Sequence, residues 1–363
     1  MDRAIFLCCA LVAVSLAACT NACASSEDGK LVVMSYNVEN LFDAVDAGSE
    51  YPEFSVARGK WDEARYKSRL ERLAAVAEAA APGRKGPDIL CLVEVENRGV
   101  LEALRSGPLK AAGYAASALV PSPGQAVNCG ILSRYPIESL RAHAASSRGS
   151  PGRLILEAHV AVGERKLILF VCHWKSKIGG AEETEADRVA AAALVAGLAR
   201  SALAEDPSVE LLVCGDFNEN PDEYTRSGGG YPTAFMPAPR GANPACVDVG
   251  AASLGLLVTG DSGAAGLRGD RGDLVLYSPW LASEPIESGG YSYVEKGEKE
   301  RIDGFLLSPG LLDGEGLDFE SFGPLEADFL VDASGAPVAY RSASGSGYSD
   351  HLPIILELSL SGE

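Results

Sequence analysis

Five short polar segments, set far apart in the chain, bring together side chains of the kinds that handle phosphate and divalent cations. They are Ser35-Tyr36-Asn37-Val38-Glu39-Asn40, Leu92-Val93-Glu94-Val95-Glu96-Asn97, Cys172-His173-Trp174-Lys175, Gly215-Asp216-Phe217-Asn218 and Ser349-Asp350-His351. Carboxylate and amide oxygens are hard ligands suited to a cation such as Mg²⁺, with Mn²⁺ or Ca²⁺ as substitutes. Imidazoles hold and move protons near neutral pH. An Asn, a Glu, two Asp and two His gathered on one rim would have the groups needed to hydrolyse a phosphate ester.

The elements that must position these groups can be read from the surrounding pattern. Four of the five segments follow an apolar run rich in β-branched residues, so their polar groups fall where a strand ends. Strand ends that converge on one rim are where α/β proteins build sites. The runs predict strands at 31–36, 88–93, 129–133, 154–160, 166–172, 209–214, 301–308 and 353–360. Three-to-four spacing of Tyr66, Leu70, Leu73, Val76 and Ala77 predicts a helix over 61–81, closed by Pro82-Gly83. Further helices are expected at 99–112 and, Ala-rich, at 182–204. From 224 to about 290 the texture turns to Gly, Ala, Pro and Ser, which reads as long loops and short strands on the site side. Strands in this number with few helices imply an α/β fold of two packed sheets flanked by helices.

Composition narrows the class. The chain has 363 residues, 47% hydrophobic and 22% charged, ample for a core. Its formal net charge of −19 opposes tight coating of a polyanion, though not turnover of one at a site bridged by a cation. Arg3 and the apolar run Ile5 to Val14 have the length of a secretory signal, and Leu16-Ala17-Ala18-Cys19 resembles a bacterial lipobox. The expected organisation is a signal peptide at 1–18, a polar tether at 19–30 with a lipid anchor on Cys19, and one catalytic domain at 31–363. Cleavage after Ala24 instead would give a secreted protein; either way the chain leaves the cytoplasm. Cys91, Cys172 and Cys214 sit inside apolar runs and read as small buried hydrophobes rather than a disulfide framework.

The five motifs in this order resemble the endonuclease/exonuclease/phosphatase superfamily, whose fold is the four-layer α/β/β/α sandwich of deoxyribonuclease I. Asn37 to Asp43, His173 to Lys177 and Glu300-Arg301-Ile302-Asp303 are similar to its bacterial exported nuclease-like branch, the resemblance running over about residues 31–360. It implies that Asn37, Glu94 and Asp350 hold the cation, and it selects Glu94 over the neighbouring Glu96. It implies further that His173 and Asn218 contact the phosphate, that Asp216 activates or orients the water, and that Asp303 orients His351. His351 and Asp216 both stand as candidates to take the proton from water. Arg153 is an implied phosphate contact, Lys175 and Lys177 are local positive charges that could serve a phosphate, and Trp174 reads as packing. Lys299 departs from the aromatic residue that precedes the Glu-Arg pair in relatives of this branch.

Nucleic acid is the expected substrate. A phosphatase or phospholipase-C-type enzyme acting on inositol phosphate or sphingomyelin headgroups is the alternative within the same chemistry. A non-catalytic surface adhesin, suggested by the tandem Arg268-Gly269-Asp270-Arg271-Gly272-Asp273, is the alternative outside it.

Overall fold

The computed structural model describes residues 29–147, 150–238, 256–268, 273–286 and 288–361. The signal peptide, most of the tether including Cys19, Cys246 and most of the tandem Arg-Gly-Asp segment lie outside the described residues. From the N-terminus the elements are β1 (Lys30–Leu41), α1 (Glu63–Ala80), β2 (Ile89–Val95), α2 (Arg98–Ser106), β3 (Ala116–Leu119) and β4 (Asn128–Ser133). Then come β5 (Ile137–Ser147), β6 (Ser150–Val162), β7 (Arg165–His173), α3 (Ala181–Glu205), β8 (Glu210–Asp216) and α4 (Glu223–Arg226). Short strands follow: β9 (Phe235–Pro237), β10 (Leu256–Thr259), β11 (Gly266–Arg268) and β12 (Asp273–Tyr277), then α5 (Pro279–Ala282). The chain ends with the hairpin β13 (Tyr293–Glu295) and β14 (Glu298–Glu300), then β15 (Asp303–Leu307), β16 (Gly316–Pro324) and β17 (Ile354–Ser361).

Two mixed sheets result. One has the order β16-β17-β1-β2-β4-β3; the other runs β5-β6-β7-β8-β15-β12-β10-β9, with β11 beside β12. The central strands are apolar on both faces, and alternation divides their residues between two cores. Leu31, Val33, Cys91, Val93, Leu167, Leu169, Leu212 and Cys214 point between the sheets. On the outer side of the first sheet, Met34, Tyr36, Leu90 and Leu92 meet Leu70, Leu73 and Val76 of α1 and Leu101 and Leu104 of α2. On the outer side of the second, Ile168, Phe170, Leu211 and Val213 meet Ala192, Val195 and Ala199 of α3, whose small residues let the helix lie close. The architecture is the α/β/β/α sandwich expected from the pattern.

Helix α1 starts where Asp62 accepts a hydrogen bond from the Arg65 amide, an N-cap the sequence provides directly. Helix α2 ends at Ser106, short of the expected 112; Gly107 follows and a single 3₁₀ turn covers Lys110–Ala112. The stretch from 224 to 290 departs further from expectation. Where described, it adds β9, β10 and β12 to the far end of the second sheet, and none of its residues lines the site cavity.

Candidate active site

Strands β7, β8 and β15 end level with one another, so that His173 lies beside Asp216 and Asp216 beside Asp303 in register. Gly215 makes the first of these neighbours possible. At φ 129°, a Cβ there would lie 2.0 Å from the Cys172 carbonyl oxygen, so only glycine permits this approach. The first sheet supplies the opposite side. Asn37 of β1 and Glu94 of β2 project from paired parallel strands, and Ser349-Asp350-His351 enters β17 next to β1.

Both β1 and β2 leave regular geometry where they meet the site. Glu39 and Asn40 have φ of 49° and 61°, and Glu94 has φ of 71°. The turn at Glu94 breaks the strand's alternation. Its carboxylate faces the site, accepting the Asn40 amide at 2.9 Å, whereas Glu96 turns away to accept the Asp43 amide at 2.8 Å. This is the physical reason that Glu94 and not Glu96 reaches the cavity.

Asn37 is the hub. Its amide nitrogen lies 3.0 Å from Asp216 Oδ2, 3.3 Å from Glu94 Oε1 and 3.5 Å from His351 Nε2, while its oxygen accepts the Glu39 amide at 3.0 Å. His173 Nε2 stands 3.5 Å from Glu94 Oε1 and 3.6 Å from Asp216 Oδ2. Asn218 donates from its backbone to Asp216 Oδ1 at 2.8 Å and from its side chain to Asp216 Oδ2 at 3.1 Å and the Trp174 carbonyl at 3.2 Å. Asp303 Oδ2 receives His351 Nδ1 at 2.7 Å, which leaves Nε2 directed at the cavity. The Tyr293 ring covers the imidazole at 4.7 Å. Asp350 reaches the rim, its Oδ1 3.9 Å from His351 Nε2.

The electrostatics follow from burial and like charge. Burial pushes the Asp216 carboxyl up to about 7, and the neighbouring Asp303 carboxylate pushes the same way. Burial raises Glu94 as well, with Asp350 adding to it and His351 opposing. For His351, burial alone would favour the neutral ring, but Asp303, Asp350 and Asp216 outweigh it and hold the imidazole well above its ordinary range. Burial, with Arg153 and His351 beside it, drives His173 well below.

Arg153 lines the cavity and donates to the Trp174 carbonyl at 2.7 Å. Lys175 does not line it. It is exposed, and its ammonium lies against the Ser176 and Ile178 carbonyls at 3.2 and 3.4 Å. Lys177 is the lysine that lines the cavity. Trp174 is buried against Phe217 and Phe235, and Arg301 spreads over Trp280 while bonding three carbonyls, so both serve packing.

Several contributors went unread in the sequence. Glu39 sits inside the first motif, where its carboxylate accepts the amides of Tyr340 and Asp350 at 2.6 and 2.9 Å. Its neighbour Arg69, wholly buried, donates to the Val38 and Tyr348 carbonyls. Tyr51 and Tyr293 also line the cavity, and no local pattern marked them; Glu300, which heads the Glu300–Asp303 motif, lines it too.

The donor set suits a divalent cation. Glu94, Asp216 and Asp350 line the cavity with Arg153, and burial, with neighbouring carboxylates adding to it, raises Glu94 and Asp216, a cost that a bound cation would relieve. Among the described residues, Asp216, Asp303 and His351 have possible ligand atoms that all lie within 4.8 Å of one another. Within this cluster His351 Nδ1 is committed to Asp303, so it is also a hydrogen-bonded acid–base group.

Among curated proteins no significant match is found. Solved structures share the fold. TDP2 from Caenorhabditis elegans superposes with a TM-score of 0.52 at 16% identity, over 92% of this chain and 76% of that one. An endonuclease/exonuclease/phosphatase family protein from Bacteroides thetaiotaomicron gives 0.50 at 16% identity, over 92% and 98%. D. rerio TDP2 in complex with a single-strand DNA product gives 0.50 at 15%, over 92% and 100%. Residues 32–229, more than half of the sequence, match one protein family directly, and the chain therefore belongs to the endonuclease/exonuclease/phosphatase family.

Proposed function

We propose that the protein is an exported, divalent-metal-dependent phosphodiesterase that hydrolyses nucleic acid by in-line attack of water. The observation that carries this reading is the meeting of Asn37 and Glu94 from one sheet with His173, Asp216, Asn218 and the Asp303–His351 pair from the other, in one cavity. Family membership supports phosphate ester chemistry, and the DNA product held by D. rerio TDP2 supports the choice of substrate.

Asn37 and Glu94, with Asp350 at the rim, would hold the cation, which when bound neutralises charge on the phosphoryl and leaving oxygens. The chain's own residues do the rest. Asp216, fixed by two donors from Asn218 and one from Asn37, orients the water and accepts its proton. His351, kept charged by Asp303, donates through Nε2 to a phosphoryl oxygen, and the buried His173 donates to the same group, while Asn218 spends its donors on Asp216 and the Trp174 carbonyl. Arg153 contributes charge from the side.

The test is hydrolysis of bis(p-nitrophenyl) phosphate and of linear single-stranded DNA by the soluble form beginning near Ser25, with Mg²⁺, with EDTA and with His351→Ala. Activity that needs both the metal and His351 supports the reading; a folded wild-type protein inert toward both substrates refutes it. Export and acylation of Cys19 rest on the N-terminal pattern alone, and mass measurement of the mature N-terminus tests them.

A further inference from the structure

The walls of the cavity bear on what kind of phosphodiester can enter. The cavity is a partly open cleft of about 730 Å³, a size typical of sites for one small ligand. One wall is the β13–β14 hairpin, through Tyr293, Glu295, Lys296 and Glu300; another is the segment after β7, Ser176 to Gly180. Lys177 joins them, its ammonium 3.7 Å from Glu300 and 3.1 Å from Glu223. The side chains of Lys177 and Glu300 are only 25% and 16% exposed, so the pair is screened less than a surface one. The hairpin is anchored at its root, where Ser292 donates to the Glu300 carbonyl at 2.9 Å and Leu352 donates to the Ser292 carbonyl at 2.7 Å.

Charge points the same way. A groove that tracks a nucleic acid strand presents several Lys and Arg along its path. Here five carboxylates line the cavity (Glu94, Asp216, Glu295, Glu300 and Asp350) against Arg153, Lys177 and Lys296. Lys177 is held by Glu223 and Glu300, while the exposed Lys296 makes only a surface pair with Glu295 at 2.8 Å. At the rim, Ile178 is 83% exposed and Tyr51 37%, both lining the cavity and offering apolar surface to an organic substituent.

We infer that the cavity accepts a phosphodiester next to a free end, on a strand terminus or a small molecule, and excludes a strand running through it, with the Lys177–Glu300 strap as the element that closes the passage. This rests on the phosphodiesterase reading above.

The experiment compares a linear single-stranded DNA, the same sequence ligated into a circle, and bis(p-nitrophenyl) phosphate, all with Mg²⁺. The linear strand is expected to shorten from an end, with the circle slower by on the order of 100-fold. Hydrolysis of the small diester with both DNAs untouched would also support the inference and identify a small-molecule source. Cutting of circle and linear strand at comparable rates would overturn it while leaving the phosphodiesterase reading intact. Inertness toward all three would overturn both. Lys177→Ala and the milder Glu300→Gln, each checked for folding by thermal melting, should raise the circle-to-linear ratio by about tenfold or more; an unchanged ratio in two folded variants would refute the strap's role.

Discussion

Replacing Asp303 with Asn isolates the electrostatic role of the carboxylate behind His351. The side chain keeps its shape and can still accept from Nδ1, but it loses a negative charge 2.7 Å from the ring nitrogen. At an effective dielectric near 20, a pair at that spacing attracts by about 6 kcal/mol, or less once both charges are spread over their groups. Burial works against the charged ring, so losing even half of that attraction moves its proton affinity by about two pK units. The imidazole would then lose its proton at a lower pH than in the wild type. The new amide also needs an acceptor beside the position of Asp303 Oδ1, a buried atom with no partner. The expected result is a fall in kcat of roughly 10²–10⁴ with little change in KM. Because the imidazolium is the form that serves, the loss should be greater on the alkaline side than on the acid side. The wild-type profile should rise as Asp216 deprotonates near 7, or lower with the cation bound, and fall only well above the ordinary imidazole range. Steady-state kinetics on bis(p-nitrophenyl) phosphate across pH reads both limbs. If the variant stays close to wild type at every pH, or loses activity equally on both limbs, the assignment of His351 as a charged donor is wrong.

Three further outcomes follow from specific contacts. Glu39→Ala should cost about 2–4 kcal/mol in urea denaturation, because one carboxylate oxygen serves the amides of both Tyr340 and Asp350. Glu39→Gln, which retains an acceptor there, should recover most of that loss. Arg188→Ala should cost about 3–5 kcal/mol by the same assay, since its buried guanidinium sits between Glu185 and Glu219 at 2.5 and 2.9 Å and its removal leaves that buried acidic pair without its cation. Away from the site, bonds from His143 and His159 at 2.6 and 2.7 Å overcome burial to hold Glu157 down at about 2. A depressed carboxyl stabilises the fold above its unfolded value, so this contribution, at most about 3 kcal/mol, should disappear as pH falls from about 4.3 toward 2. Acid titration of wild type against Glu157→Gln measures it, and identical curves would count against it.

The central strands could be read from the sequence because burial on both faces leaves an unbroken apolar run, as in Leu167 to Cys172. The polar residues that end those runs then mark the rim. Other strands hide their period. β16 carries Leu317, Phe319 and Phe322, and the register shift between Phe319 and Ser321 breaks the alternation that would have announced it. The β13–β14 hairpin is mostly charged and is held by Ser292, Glu300 and Leu352 rather than by a pattern of its own. Glu39 shows the limit at the site: its partners Tyr340 and Asp350 lie more than three hundred residues away, so its function cannot be seen in any local window. A strict two-residue period would have put Glu94 and Glu96 on one face, and only the turn at Glu94 separates them.

That turn belongs to a wider arrangement. Among the described residues, six non-glycine positions have positive φ, and five of them, Glu39, Asn40, Glu94, Asn218 and Lys296, are at or beside the cavity. Each such position costs roughly 1 kcal/mol or more, less for Asn. At three of them the unusual backbone turns its amide toward a side chain of the site. Glu39 donates to Asn37, Asn40 to Glu94 and Asn218 to Asp216, at 3.0, 2.9 and 2.8 Å. Regular strands would send these amides to neighbouring strands and leave Asn37, Glu94 and Asp216 held only by their side-chain partners. The strain is thus exchanged for orientation of the groups proposed to hold the cation and move the proton. Relieving it at Asn218 or Asn40 with a residue that prefers extended backbone should therefore loosen the site more than it loosens the fold.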